Sequence, residues 1–217
     1  MSKYKYLFFD LDGTLTDSAE GITNSVAYAL SKFGIIIEDK SVLTPFIGPP
    51  LVDAFMEHYG FSEADAKKAT EFFRERFRDI GIFENNVYDG VRELLEKLNK
   101  NGYKLIIATS KPEPFAKRIL SHFRIDKYFS LVVGATFDDK ISNKTDIIKF
   151  AIRKLGDVNK AEILMIGDRN HDIVGAKASG LDSMGVLYGY GSQKELSEAG
   201  ATYIASTVSD IAKILLD

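Results

Sequence analysis

The chain has 217 residues, 45% of them hydrophobic, with a formal charge of −3 and a sequence pI of about 5.7. It contains no cysteine, which excludes disulfides, thiolate zinc sites and a cysteine nucleophile. The charge balance argues against a sequence-neutral nucleic-acid binder, no apolar run approaches a membrane span, and Asp10 interrupts the N-terminus too early for a signal peptide, so a cytoplasmic protein with no nucleic-acid or membrane partner is expected.

Residues 4–9 read as the first strand. Tyr6, Leu7, Phe8 and Phe9 are four apolar residues in a row, the pattern of a strand buried on both faces. The run stops on Asp10, and Asp12 follows two residues later. A helical stretch comes next. Asp17 or Ser18 can cap a helix carrying Ile22, Val26, Leu30 and Phe33 on one face and stopped by Gly34. Pro49 and Pro50 suit the first turn of a second helix, with Leu51, Val52, Phe55, Met56 and Tyr59 inside and Gly60 at its end. Ser62 opens a third, whose apolar stripe runs Ala66, Ala69, Phe73, Phe77 and Ile80. No strand is expected between Asp17 and Asn85.

From Asp89 onward helices and strands alternate. A helix around Val91 to Leu98 leads to "KLIIAT", one around Phe115 to Leu120 to "SLVVGA", one around Ile147 to Leu155 to "EILMIG", and one around Ile173 to Ala178 to "MGVLYG". Such alternation with continuous apolar strands predicts an α/β fold, a parallel sheet covered on both faces. An all-helical block is thus inserted after the first strand. The expected division is 1–16 with 86–217 as the α/β core, and 17–85 as the helical domain. In open α/β sheets the ligand crevice lies at the carboxyl ends of the strands.

The strand ends carry the chemistry. The first is followed by Asp10, Asp12, Gly13 and Thr14, the second by Thr109, Ser110 and Lys111, and "EILMIG" by Asp168, with Asp172 four residues on. Lys144 sits where a helix is starting, a position at which a cation opposes the helix dipole. Carboxylates from Asp10, Asp12 and Asp168 at the strand ends, with a hydroxyl from Thr109 and the Lys144 ammonium on one rim, suit Mg²⁺ holding a phosphoryl group. Residues two apart in extended chain face one side, so Asp10 and Asp12 are expected roughly 6–7 Å apart at one site. Asp10 can act as nucleophile and form an aspartyl-phosphate, while Asp12 protonates the leaving oxygen and later deprotonates water. Asp10 and Asp168 would ligate the metal, with Asp172 in a supporting metal role. Gly13 allows close approach of backbone N–H groups, Thr109 donates to the phosphate, and Lys144 supplies positive charge to the transition state. Phosphate-monoester hydrolysis is accelerated by up to ~10²¹-fold in enzymes, more than any one of these groups supplies.

With these residues in hand, the chain resembles the haloacid dehalogenase superfamily. "DLDGT" at Asp10, "ATS" ending at Ser110, Lys144, and "GDRNHD" from Gly167 to Asp172 look like its four motifs, in order, over essentially the whole chain. The resemblance implies a Rossmann-like core with an inserted all-α helical cap, Mg²⁺ as cofactor, and a nucleophilic aspartate. It also implies that Asp12 meets the metal through its backbone carbonyl, and that Gly13, Thr14, Thr109, Ser110 and Lys144 hold the phosphate. Within the family the likeness is to phosphoglycolate phosphatases and 5'-nucleotidase-like phosphatases, and "FIGPPL" (46–51) looks like their cap loop. Ser110 stands where many relatives carry asparagine.

A small phosphorylated metabolite is the expected partner, on a monomer or weak homodimer. Asp12 argues against dehalogenation, which needs no proton for a leaving alcohol. Lys32, Lys40, Lys67 and Lys68 are too polar in setting to supply the Schiff-base lysine of a phosphonoacetaldehyde hydrolase. A sugar phosphomutase is the enzymatic alternative, and a catalytically idle binding module the non-enzymatic one. Arg74, Arg76, Arg78, Lys111 and Arg169 are candidates for a second anionic group, and Phe46 and Ile47 for an aromatic ring. Hinges are expected near 16–18 and 85–88.

Overall fold

The computed structural model describes residues 3–137 and 140–216. The chain divides into two compact units, Met1–Thr16 with Val87–Asp217, and Asp17–Asn86.

The first unit is built on β1 (Tyr6–Phe9), flanked by β4 (Lys104–Pro112) and β6 (Ile163–Gly167), within a six-stranded sheet of order β5-β4-β1-β6-β7-β8. The outer members are β5 (Phe129–Ala135), β7 (Asp182–Val186) and β8 (Tyr203–Ala205). Every pairing in it is parallel, with Phe8 in register with Ile106 on one side and Met165 on the other. Helices α4 (Val91–Lys100), α5 (Glu113–His122), α6 (Lys144–Leu155), α7 (Asn170–Ser179), α8 (Gln193–Ala199) and α9 (Val208–Leu216) belong to the same unit. The apolar sides of α6 and α7 (Ile147, Ile148, Ala151 and Ala176) close over the sheet face bearing Phe8, Ile106 and Met165. Leu7 and Phe9 point the other way and are equally buried. The four apolar residues before Asp10 are therefore apolar because both sides of β1 are covered.

The second unit is helical: α1 (Ala19–Ser31), α2 (Leu51–Tyr59) and α3 (Glu63–Phe77), with 3-10 turns at Lys40–Phe46 and Gly81–Phe83. Asp17 accepts from the Ala19 N–H at 3.2 Å, Ser62 caps α3 through the Asp65 N–H at 3.1 Å, and Gly60 ends α2 in the left-handed conformation. Gly21 is required by packing, since a Cβ there would strike the Gly81 carbonyl. Arg76 grips Glu84 with two bonds of 2.8 Å, and Asn24 donates to the same carboxylate. The two chain crossings, β2 (Thr16–Asp17) and β3 (Asn86–Val87), pair as a short ribbon.

Several sequence expectations need correction. Met56 is 41% exposed and Ile80 54% exposed, so neither belongs to the apolar face assigned to it. In α2 the inward positions are Ala54 and Phe55, and α3 ends at Phe77, leaving Ile80 beyond the helical period. The first helix stops at Ser31 rather than running to Gly34, and β1 begins at Tyr6 rather than Tyr4. The extended segment after "EILMIG" starts earlier, at Asp182, and ends at Val186.

Candidate active site

Asp10 lies one residue past β1, and its N–H still donates to the Ile166 carbonyl at 2.9 Å, so the sheet holds the backbone that carries this carboxylate. The chain then turns sharply, with the N–H groups of Thr14, Leu15 and Thr16 directed at the Leu11 carbonyl. Gly13 adopts φ +78°, and a Cβ on it would run into the Asp168 carboxylate and the Tyr190 ring. Only glycine meets both demands.

Asp168 follows the fully buried β6 and is itself buried. Its Oδ2 accepts from the Tyr190 N–H at 2.8 Å, and Thr14 Oγ1 donates to its Oδ1 at 3.4 Å. Asp172 sits in the first turn of α7, where its Oδ2 accepts from the Arg169 N–H at 3.1 Å. Lys144, the first residue of α6, is buried between Asp10 and Asp172, with its Nζ 2.8 Å from an oxygen of each and 3.1 Å from the Ala108 carbonyl. The misfit of a lysine at a helix start is thus offset by two carboxylates.

The electrostatics follow from burying three acids around one ammonium. Burial, reinforced by the charges of Asp172 and Asp10, pushes the Asp168 carboxyl well above the ordinary carboxylate value. Burial also pushes Asp172 up to about 6, against the attraction of Lys144. For Lys144 burial works against the ammonium, yet Asp10 and Asp172 outweigh it and raise its pKa. One carboxylate oxygen from each of Asp10, Asp168 and Asp172 lies within 4.8 Å of the others. A buried set of hard oxygen donors with more negative charge than its lone lysine cancels fits a divalent cation such as Mg²⁺.

Asp12 is not in that carboxylate set. Its Oδ2 is 3.0 Å from Lys111 Nζ, and its Oδ1 is buried without a hydrogen-bond partner among the described residues. Thr109 is buried at the end of the regular part of β4, its Oγ1 accepting from the Lys111 N–H at 3.2 Å, while Ser110 is half-buried beside it. The first unit therefore brings Asp10, Gly13, Thr14, Asp168, Asp172 and Lys144 into one connected cluster and Asp12, Thr109 and Lys111 into another, both at the carboxyl ends of β1, β4 and β6.

Sequence reasoning missed Glu195 and Tyr190. Glu195 Oε1 accepts from both Arg169 Nε at 2.9 Å and the Asn170 N–H at 2.8 Å, pinning the turn after Asp168. Ser192, three residues before it, caps α8 through the Glu195 N–H, so the Ser-x-x-Glu spacing was the available signal. Among the candidates for a second anion, Arg76 is committed to Glu84 and Arg169 to Glu195, while Arg78 pairs with Asp79 on the surface. Phe46 and Ile47 are buried, with the Phe46 ring against Phe55, His58 and Tyr59 inside the helical unit. Lys32, Lys40, Lys67 and Lys68 are all exposed.

A family model described as haloacid dehalogenase-like hydrolase matches residues 7–186. A 5'-nucleotidase from Pseudomonas aeruginosa is 44% identical over 213 residues, 98% of this chain and 96% of that one. The tyrosine-protein kinase PtkA of Mycobacterium tuberculosis is 36% identical over 211 residues, 96% of this chain and 72% of that protein. The crystal structure of a predicted phosphatase from Clostridium acetobutylicum superposes with a TM-score of 0.96 at 49% identity, covering 98% of each chain.

Proposed function

This chain belongs to the haloacid dehalogenase-like hydrolases and is a phosphoric monoester hydrolase, and we propose that it is a Mg²⁺-dependent phosphatase working through an aspartyl-phosphate on Asp10. The observation that carries this reading is the pair of carboxylates at the end of β1, each beside its own buried lysine: Asp10 with Lys144 and Asp12 with Lys111.

Asp10, Asp168 and Asp172 would hold the metal, joined by the backbone carbonyl of Asp12. When bound, Mg²⁺ supplies positive charge that neutralises the acids and draws electron density from the phosphoryl oxygens. An Asp10 carboxylate oxygen attacks phosphorus as the bond to the leaving oxygen breaks. Asp12 gives that oxygen its proton, and the alcohol departs. Water then attacks the phosphorus of the aspartyl-phosphate, Asp12 takes its proton, and phosphate leaves with the Asp10 carboxylate restored. Lys144 balances charge on Asp10 throughout, and Thr109, Ser110 and the backbone at Gly13 and Thr14 receive the phosphoryl oxygens.

The substrate in this reading is a small phosphomonoester. The 44% identity to a 5'-nucleotidase favours a nucleoside monophosphate. The helical unit takes the part of the family's cap, which selects substrate, and the protein works in the cytoplasm as a monomer or weak homodimer. The test is phosphate release from nucleoside monophosphates, phosphoglycolate, phosphotyrosine and sugar phosphates, with and without Mg²⁺, beside Asp10→Asn. Metal-dependent release that falls by at least about a hundredfold in the variant is expected. A folded Asp10→Asn protein that keeps more than a few per cent of the activity would remove Asp10 from the nucleophile's role.

A further inference from the structure

Lys111 is a buried cation that the phosphoryl-transfer steps leave without a task, and we infer that it is a positioning residue for Asp12, fixing which carboxylate oxygen exchanges the proton. The inference rests on the proposed reading of Asp12 as the proton-transfer group.

The sheet is locally deformed to put Lys111 there. Thr109 of β4 pairs with Gly134 of β5, and the next pairing is Pro112 with Ala135, so Ser110 and Lys111 are both extra residues between successive rungs. A bulge of this kind bends a strand and re-aims its side chains, and bulges concentrate beside active sites. Two contacts support it. The Lys111 N–H donates to Thr109 Oγ1 at 3.2 Å. Opposite, Gly134 leaves the space the bulge needs: a Cβ there would lie 2.5 Å from the Lys111 carbonyl oxygen and 2.6 Å from the Glu113 nitrogen. Real Cβ atoms do not approach backbone so closely, so β5 carries glycine where the β4 backbone presses in.

The Lys111 ammonium that this bulge delivers is 3.0 Å from Asp12 Oδ2. A carboxylate can turn about its Cβ–Cγ bond, and proton transfer needs one oxygen aimed at the reacting atom. With Oδ2 held by Lys111, the buried Oδ1, which has no hydrogen-bond partner among the described residues, is the oxygen left to face the leaving group and the water. Stability alone is a poor reason to keep such a pair, because a buried ion pair gains little over apolar residues of the same size. Misplacing a reacting group by about 1 Å, in contrast, costs about a hundredfold in rate.

Leaving groups of different basicity separate positioning from mere support. In the first step the Asp10 oxygen–phosphorus bond forms, the phosphorus–leaving oxygen bond breaks, and the proton on Asp12 Oδ1 passes to the leaving oxygen. Ethyl phosphate needs that proton; 4-nitrophenyl phosphate releases a stable phenolate without it. The experiment measures kcat/KM for both esters in the parent chain, Lys111→Met and Asp12→Asn, with thermal unfolding as the check on folding. Lys111→Gln is run alongside and carries the comparison if Lys111→Met does not fold. Lys111→Met is expected to lose about 10–100-fold on ethyl phosphate and less than about 3-fold on 4-nitrophenyl phosphate, with Asp12→Asn showing the same selectivity more strongly. Equal losses on both esters in Lys111→Met, with Asp12→Asn still selective, overturn the inference alone. Phosphoglycolate, which bears a second anion, is run beside the two esters, and a loss confined to it also overturns the inference, in favour of direct substrate binding. No selectivity in Asp12→Asn overturns the underlying reading of Asp12, and this inference with it.

Discussion

Replacing Asp168 by asparagine should stabilise the protein in the absence of divalent metal while abolishing its response to Mg²⁺. Asp168 is buried, and its neighbours in the carboxylate set lie within 4.8 Å. At that separation and an effective dielectric of about 20, each ionised neighbour repels it by about 3.5 kcal/mol, in part offset by the Tyr190 N–H and the charge of Arg169. Protonation limits the cost. Burial and those charges hold its carboxyl well above the ordinary value of 3.8, so part of the cost is met by binding a proton on folding. Asparagine avoids both costs and keeps the local bonds: its Oδ1 can accept from the Tyr190 N–H, and its Nδ2 can donate to Thr14 Oγ1. The expected gain is about 2–4 kcal/mol at pH 7.

The sign of the pH dependence follows. A carboxyl raised on folding binds more protons in the folded state, so its contribution is most favourable at low pH and is lost as pH rises toward its folded value. Urea unfolding in EDTA should show the parent chain losing stability relative to the variant as pH rises above the ordinary carboxylate value of 3.8. Adding Mg²⁺ should reverse the order, stabilising the parent and leaving Asp168→Asn unmoved. A variant less stable than the parent in EDTA at pH 7 would refute the claim that these acids are in electrostatic conflict without a cation.

Gly13→Ala combines φ +78° with a Cβ directed into Asp168; thermal unfolding should show a loss of at least about 1–2 kcal/mol, and calorimetry a lost Mg²⁺ response. Glu195→Gln keeps the size of the side chain but weakens the grip on the turn after Asp168, so Mg²⁺ titration should require about 10–100-fold more metal, as when an outer partner of a ligand is removed. In the helical unit, Arg76 holds the Glu84 carboxyl below its usual range. That stabilisation is present above the ordinary value of 4.5 and is lost as pH falls through the lowered one. Glu84→Gln should therefore cost about 1 kcal/mol at pH 7 in urea unfolding, with parent and variant converging at acid pH.

What could be read from the sequence was whatever one strand or one helix fixes by itself. Asp10 and Asp168 were conspicuous because each ends an apolar run too continuous for a surface, and Lys144 because it opposes a helix start. Met56 and Ile80 were misplaced because a helical period says which residues share a face, but not where a helix stops or how wide its contact is. The 3-10 turn at Lys40–Phe46 has no period of its own to detect. The segment after 189, with α8, β8 and α9, is short and weakly patterned, so Glu195 stayed unseen. The partners of Lys111 and Glu195 lie at distant positions and depend on strand order, a bulge and the approach of backbone to glycine.

The place of β1 has a consequence for the order in which the molecule can be made. Tyr6–Phe9 leaves the ribosome before the other strands of its sheet, and its two neighbours begin only at Lys104 and Ile163. The helical unit, one unbroken stretch from Asp17 to Asn86, is complete before either neighbour exists. A strand apolar on both faces thus has neither edge paired until β4 is made, the condition under which nascent chains associate with one another. Its brevity, with charge on either side at Lys5 and Asp10, limits that hazard. The carboxylates at the end of β1 also flank the newborn strand with charge, which opposes its association until the sheet closes around it.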